Sequence, residues 1–354
     1  MSDTVKIATV NCQGLATPQK RLDVLNYYKN KGYSIVCLQD THFTHELQPY
    51  IEAQWGFKRV FSSYKSNSRG VSILFNNNFE FKIHKEKGDS EGNLVALDIT
   101  VEDNRLTLIN VYGPNTDCSD FYEKVRDTFL EFDNEFFILC GDLNLALNPA
   151  VDTYNYKNIN NPKAREKLLE IMEDLHIIDY YRVLNPDKLV YTWRKKKNPC
   201  IQGRLDYILI SEGLSNSVES YTIKPGYRSD HSIVVLELKF NSFIKGRGLW
   251  KFNNTLLYDK TYVEKVKQTI QNVRCRYVQN AVSSEDEYNF CDSMDDSTFL
   301  EALLLEIRGI TISYSSFKKK ERNQLENSLI DEIEKLESQN NTDTLIMEEK
   351  KTST

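Results

Sequence analysis

Asp142 and Asn144 stand two residues apart in the stretch ILCGDLNLAL, directly after the apolar run FFILC and Gly141. Such a run reads as a buried strand. A carboxylate buried at its end costs free energy unless it is paired or holds a cation. The same pattern recurs along the chain. VKIATV runs into Asn11, YSIVCL runs into Gln39 and Asp40, and LTLINVY ends in Tyr112. LDYILI carries Asp206 at its start, and SIVVLELKF follows Ser229, Asp230 and His231. If these strand ends share one edge, they build a polar pocket on a rigid scaffold.

The residue types suit one chemistry. Asp40, Asp230 and the Asn11 amide are hard oxygen donors, the ligands of Mg²⁺ or Mn²⁺. Zinc would call for a Cys cluster or a His-x-x-x-His pattern, and the chain has neither. Residues two apart in an extended segment face one side, so Asp142 and Asn144 are expected in one pocket, one orienting a water and the other a phosphate oxygen. Asp206 can hold the tautomer of His231 and stabilise its cation near a phosphate. A cation, a polarised water, a charged imidazole and the Tyr112 phenol together describe in-line phosphodiester hydrolysis.

The elements that must position these groups are legible as short apolar runs. Strands are expected at 5–10, 33–38, 70–75, 94–100, 106–112, 136–140, 190–193, 205–210 and 232–240. Helices are expected at 18–30, 119–133 and 162–175, with Pro18 and Pro162 suiting a first turn. Strands with interspersed helices predict an α+β domain over 1–240, two packed sheets flanked by helices. The texture changes after about residue 243. A helical, linker-like extension is expected over 241–354, with helices near 258–280 and 298–310. A further helix at 318–338 would place Leu325, Leu329, Ile333 and Leu336 on one narrow seam. The polar tail 339–354 is expected to fray.

Composition bounds what else the chain can be. Its 354 residues are 40% hydrophobic and 27% charged, with a formal net charge of −6. There is no global basic signature, so contact with nucleic acid must come from local patches or cation-bridged phosphates. The seven cysteines are irregularly spaced with no Cys-x-x-Cys. They read as reduced thiols of a nuclear or cytoplasmic protein. No apolar run approaches membrane-spanning length and MSDTVKIATV does not read as a signal peptide, so no membrane partner is expected.

The pieces TVNCQGL, CLQDTHF, NVYGPN, CGDLNLAL, VYTWRKKKN, GRLDYIL and SDHSIVVLEL occur in that order over about residues 5–240. In that order they resemble the endonuclease/exonuclease/phosphatase superfamily. More closely, they resemble the apurinic-endonuclease-like domain at the N-terminus of LINE-type non-LTR retrotransposon polyproteins. LWKFNNTLL and the helical stretch after it resemble the linker before the reverse transcriptase. The resemblance implies a four-layer α/β/β/α sandwich, Mg²⁺ as cofactor (or Mn²⁺), and double-stranded DNA as partner. It places Asn11, Asp40 and Asp230 at the metal. Tyr112 would sit by the scissile phosphate, Asp142 would activate the attacking water, and Asn144 would position it. Asp206 would support His231 at the phosphate. Ser229 and Thr192 fall at phosphate- or DNA-contact positions. A hairpin loop after Thr192, carrying Arg194, Lys195, Lys196 and Lys197, would reach into DNA. Asp40 stands where the family commonly has Glu. The sequence stops before any reverse-transcriptase segment, which is expected of a truncated element, a fragment of a longer polyprotein or a stand-alone product served by a reverse transcriptase in trans.

The resemblance implies a nick leaving 3′-hydroxyl and 5′-phosphate ends to prime reverse transcription. Two rivals stand beside it: an apurinic/apyrimidinic-site repair endonuclease, and a decayed remnant that binds DNA without cutting it. A phosphatase branch would carry Trp-Cys-Asp-Arg near the second Asp, where this chain has GRLD. Taken singly the motifs are weaker. Asp142-x-Asn144 is also an Asx turn, Ser229-Asp230-His231 is also a strand cap, and Tyr112 is one of 20 tyrosines. His42 and His45 are read as surface residues of a loop.

Overall fold

The computed structural model describes residues 4–352, apart from 102, 133, 157–160, 196–200, 241–251 and 283–295. In the first half of the main domain the strands are β1 (Val5–Asn11), β2 (Ile35–Gln39), β3 (Arg59–Ser62), β4 (Val71–Phe75), β5 (Phe81–Gly88), β6 (Leu94–Val101) and β7 (Asn104–Tyr112). The second half adds β8 (Phe136–Asp142), β9 (Thr153–Tyr154), β10 (Ile177–Ile178), β11 (Trp193–Arg194), β12 (Gln202–Gly203), β13 (Asp206–Ser211), β14 (Val218–Lys224) and β15 (Ile233–Leu238). Helices α1 (Pro18–Asn30), α2 (Gln48–Trp55), α3 (Ser119–Phe132), α4 (Pro149–Asp152), α5 (Pro162–Asp174) and α6 (Tyr180–Leu184) lie between them.

The strands form two six-stranded mixed sheets, ordered β14-β15-β1-β2-β4-β3 and β10-β13-β8-β7-β6-β5, with a three-stranded β11-β12-β9 patch beside them. Period-2 alternation builds the layers. On β1, Val5 and Ile7 join the core between the sheets, whereas Ala8 and Val10 join the core under α1 and α2. On β8, Ile138 and Cys140 face the opposite sheet, whereas Leu139 packs with Val125 and Phe129 of α3 and Leu168 of α5. Three apolar cores therefore separate four layers, α/β/β/α, as the sequence predicts. Full burial stabilises each Val, Leu or Ile here by about 1.5–3 kcal/mol.

Alternation also decides what stands at the end of the sandwich. On β1 the inward set 5, 7 continues to Asn11, and on β7 the inward set 106, 108 continues to Tyr112. On β8 it continues from 138 and 140 to Asp142, and on β13 it begins at Asp206 before 208 and 210. Each of these polar residues is thus the inward-facing residue at a strand terminus.

The chain divides into two compact units, Met1–Gly246 with Asn341–Thr354, and Arg247–Asn340. The boundary expected after residue 240 falls in 241–251, outside the described residues. The second unit contains α7 (Lys260–Val282) and much of α8 (Asp296–Thr352). Its small core is Leu256, Tyr262 and Tyr314, tied by a 2.6 Å hydrogen bond between Tyr262 and Thr311. Leu325, Leu329 and Leu336 are at least half exposed and Ile333 is 39% exposed, so among the described residues nothing buries the expected seam. The tail expected to fray instead continues α8 to Thr352. No Gly or Pro interrupts the sequence after Gly309, so the helix has no encoded stop. Cys12, Cys37, Cys118, Cys140 and Cys275 are free thiols. No helix among the described residues is long and apolar enough to cross a membrane.

Candidate active site

Register brings three of the inward-facing termini side by side. Asp142 pairs with Tyr112 across the parallel β7/β8 ladder and with Asp206 across the antiparallel β8/β13 ladder. Gly141 permits this close pairing. Its φ is +134°, and a Cβ there would lie 1.9 Å from the Val111 carbonyl oxygen. The glycine before the aspartate is therefore required by the packing of β8 on β7.

Asp142 is 1% exposed and accepts two hydrogen bonds. Asn11 Nδ2 donates to its Oδ2 at 2.9 Å, and the Asn144 backbone N–H donates to its Oδ1 at 2.9 Å. Asn144 is not extended. β8 ends at Asp142, and Asn144 has φ +50°, a left-handed turn that asparagine tolerates. The expectation that strand alternation aligns the two side chains is corrected here: an Asx turn does it. The Asn144 amide then donates to the Gly113 carbonyl at 2.7 Å.

His231 is held by Asp206, whose Oδ2 lies 2.9 Å from Nδ1. The other ring nitrogen, Nε2, lies 4.0 Å from Asp230. Burial disfavours a charged His231, but Asp206, reinforced by Asp142 and Asp230, outweighs it and raises the pKa to about 9. Asp142 is pushed up to about 7 by burial and then by Asp206, with His231 and Asn11 pulling the other way. Burial, with the charges of Asp40 and Asp142, holds the Tyr112 phenol well above its ordinary value, so it stays an O–H donor beside Asn115 and Asn144.

Other expected residues have different places. Thr192 is fully buried, and its hydroxyl accepts the Leu205 and Asp206 N–H groups at 2.9 and 3.0 Å. Its carbonyl also accepts the Ser232 N–H at 2.6 Å. Thr192 therefore links the Asp206 strand to the His231 loop, and the expectation of a DNA contact is corrected. Ser229 Oγ donates to the Asn11 carbonyl at 2.6 Å and accepts the His231 N–H at 3.1 Å, which commits it to joining that loop to β1. Arg194 and exposed Lys195 lie on a hairpin in which β11 pairs with β12, and Trp193 bridges to His231. Lys196 and Lys197 lie outside the described residues.

Two donor sets could hold a cation. Asp142, Asp206 and His231 bring ligand atoms within 4.8 Å of one another. Their atoms are largely spent on each other and on Asn11, which suits proton handling better than ligation. Asp40, Asn11 and Asp230 offer oxygen only, the donor chemistry of Mg²⁺ or Mn²⁺. Asp40 Oδ1 accepts from His42 Nε2 and from the Arg69 N–H, both at 3.1 Å. By donor chemistry the second set suits a hard cation, with Asn11 Oδ1 also accepting the Gln13 N–H at 3.0 Å. His42, read from sequence as a surface residue, is instead the partner of Asp40. Gly14 makes room for the ring: an added Cβ there would lie 2.6 Å from His42 Nδ1.

Residues 8–231 match the Endonuclease/Exonuclease/phosphatase family. The chain belongs to that family. This endonuclease/exonuclease/phosphatase family member is 29% identical over 273 residues to the Transposon TX1 uncharacterized 149 kDa protein of Xenopus laevis, covering 75% of this chain and 20% of that protein. It therefore spans about a fifth of that relative's length. It is 28% identical over 260 residues to the exodeoxyribonuclease of Bacillus subtilis, covering 66% of this chain and 98% of that enzyme. The AP endonuclease LMAP from Leishmania major superposes with a TM-score of 0.57 at 19% identity, over 67% of this chain and 88% of that one, a likeness of fold.

Proposed function

We propose that the chain is a Mg²⁺-dependent endonuclease that nicks one strand of double-stranded DNA, leaving 3′-hydroxyl and 5′-phosphate ends. The observation that carries this is the buried chain Asn11–Asp142, with Asp142 in register with Tyr112 and Asp206, and Asp206 on His231. Asp142, titrating near neutrality, takes a proton from the attacking water. Asn144, fixed by Gly113, orients that water. His231, held charged by Asp206, would face the phosphate oxygens with Nε2. As the new P–O bond forms the P–O3′ bond breaks, the departing 3′ oxygen taking the Tyr112 phenol hydrogen, which solvent then restores. A divalent cation on Asp40, Asn11 and Asp230 would neutralise charge on the phosphate.

The likeness to a transposon protein supports a role in transposition, in which the nick would prime reverse transcription. A 28% identity over 257 residues to Recombination repair protein 1 of Drosophila melanogaster favours a second reading, repair cleavage at abasic sites. Nicking of supercoiled plasmid separates them. The purified chain should give open circles with Mg²⁺ and none with EDTA, or when Asp142→Ala or His231→Ala is present. Cleavage of an abasic duplex alone would support the repair reading. A folded chain that cuts neither would be a DNA-binding remnant.

A further inference from the structure

Asp40 sits just past β2 with φ +50°, in a loop bonded on both flanks. On one side Gly14 N–H donates to the Asp40 carbonyl and Leu15 N–H to the Thr41 carbonyl, each at 2.8 Å. On the other, Thr41 N–H donates to Gly70 at 3.0 Å and His42 N–H to Arg69 at 2.8 Å. The loop therefore has little freedom to re-aim its side chains.

The carboxylate is equally constrained. Both donors that reach it, His42 Nε2 and the Arg69 N–H, take Oδ1 at 3.1 Å. A carboxylate only accepts, so Nε2 of His42 carries the hydrogen. Nδ1 faces Gly14, where φ is +77° and a Cβ would intrude to 2.6 Å. The imidazole is thus seated in a slot made by a missing side chain. Among the described residues no hydrogen bond reaches Oδ2. Asp40 directly follows Gln39, which pairs with Asn11 across the β1/β2 ladder, so it stands at the same strand-end edge as Asn11.

We propose that His42 is a positioning residue: it fixes Oδ1 of Asp40 so that Oδ2 is presented to the divalent cation. This rests on the endonuclease reading, which gives Asp40 a cation to hold. A short aspartate can swing its carboxylate about two torsions, and two donors on one oxygen remove that freedom before the cation arrives.

The test compares His42→Gln, which restores an N–H of similar reach, with His42→Met, which fills the space without a donor. Free Mn²⁺ is read by electron paramagnetic resonance during titration of the full chain. The Met variant should bind Mn²⁺ at least about tenfold more weakly than wild type, and the Gln variant should recover most of the loss. Half-saturating Mg²⁺ for nicking should shift in parallel, with the saturated rate little changed. Overlaid melting curves are expected. Equal Mn²⁺ affinity in the two variants would overturn the proposal. So would a Met variant that fails to fold while the Gln variant folds, because the donor would then serve the fold. Wild-type chain that binds no Mn²⁺ would instead remove the endonuclease reading on which the proposal rests.

Discussion

Asn11 donates its side-chain amide to Oδ2 of Asp142 at 2.9 Å, a bond between β1 in one sheet and β8 in the other. It is buried, joins residues 131 apart in sequence, and holds the carboxylate against its Asp206 neighbour. Asn11→Ala should leave that carboxylate with one donor fewer in a nearly dry site. Nicking should fall by about 10²–10³, the usual loss for one aimed donor. Asn11→Asp adds a third carboxylate beside Asp142 and Asp206, and should lower the melting temperature as well as the rate. Plasmid nicking and thermal denaturation of both variants check this.

Gly141→Ala should be more severe than a typical surface change. The position combines φ +134° with a Cβ site 1.9 Å from the Val111 carbonyl oxygen. β8 would have to leave β7, and Asp142 would move with it. The expected outcome is little soluble protein, read against wild type by expression and gel filtration. A soluble variant with normal melting would show that the ladder can open at no cost.

Asp206→Asn removes the charge that keeps His231 protonated while keeping the shape. Nicking should fall by about 10²–10⁴ with the fold intact, the range for losing acid–base or charge support at one group. Circular dichroism and plasmid nicking on the same sample separate the two effects.

The candidate site's residue types were legible because polar side chains end apolar runs at fixed parity: Asn11, Tyr112, Asp142 and Asp206 all belong to inward-facing sets. What sequence missed is mostly what other segments decide. The four edge strands, β3, β5, β10 and β14, were not read as strands. Three of them, RVFS, FKIHKEKG and VESYTIK, are half solvated and carry polar residues on their open faces, and β10 is only two residues long. An edge strand has fewer neighbours to demand apolar residues, so its pattern is faint. Thr192 was misread because nothing local shows that its hydroxyl serves N–H groups 13 and 14 residues ahead. His42 was misread because its slot is made by Gly14 and its role by Asp40, and the tertiary fold brings these together.

Behind Asp206 lies a buried ionic network. Arg204 is fully buried, and its Nε and Nη2 reach Asp152 at 2.8 and 3.1 Å. Asp179 also bonds Arg204, and Arg182 bonds Asp152. Arg204→Met keeps the bulk and strands two carboxylates with one arginine. Removing one partner of a buried pair costs about 3–5 kcal/mol. Urea denaturation should show a loss of that size, with the midpoint falling.

Asp98 gives the stability its acid limb. It accepts from Arg105 Nε at 3.0 Å and Nη2 at 2.6 Å, and from Asn134 Nδ2 at 3.0 Å. The Arg105 bond lowers its pKa below the ordinary 3.8, against burial and with help from Asn134. A carboxylate with a depressed folded-state pKa adds stability that is fully present above its unfolded value and lost as pH falls through the folded one. Wild type should therefore lose stability below about pH 4, and Asp98→Asn should flatten that part of the curve while being less stable at neutral pH. Melting temperatures from pH 2 to 7 would decide it. Parallel wild-type and Asn curves would mean that the Arg105 pair contributes nothing in solution, the common fate of ion pairs with one exposed partner, and Arg105 is 58% exposed.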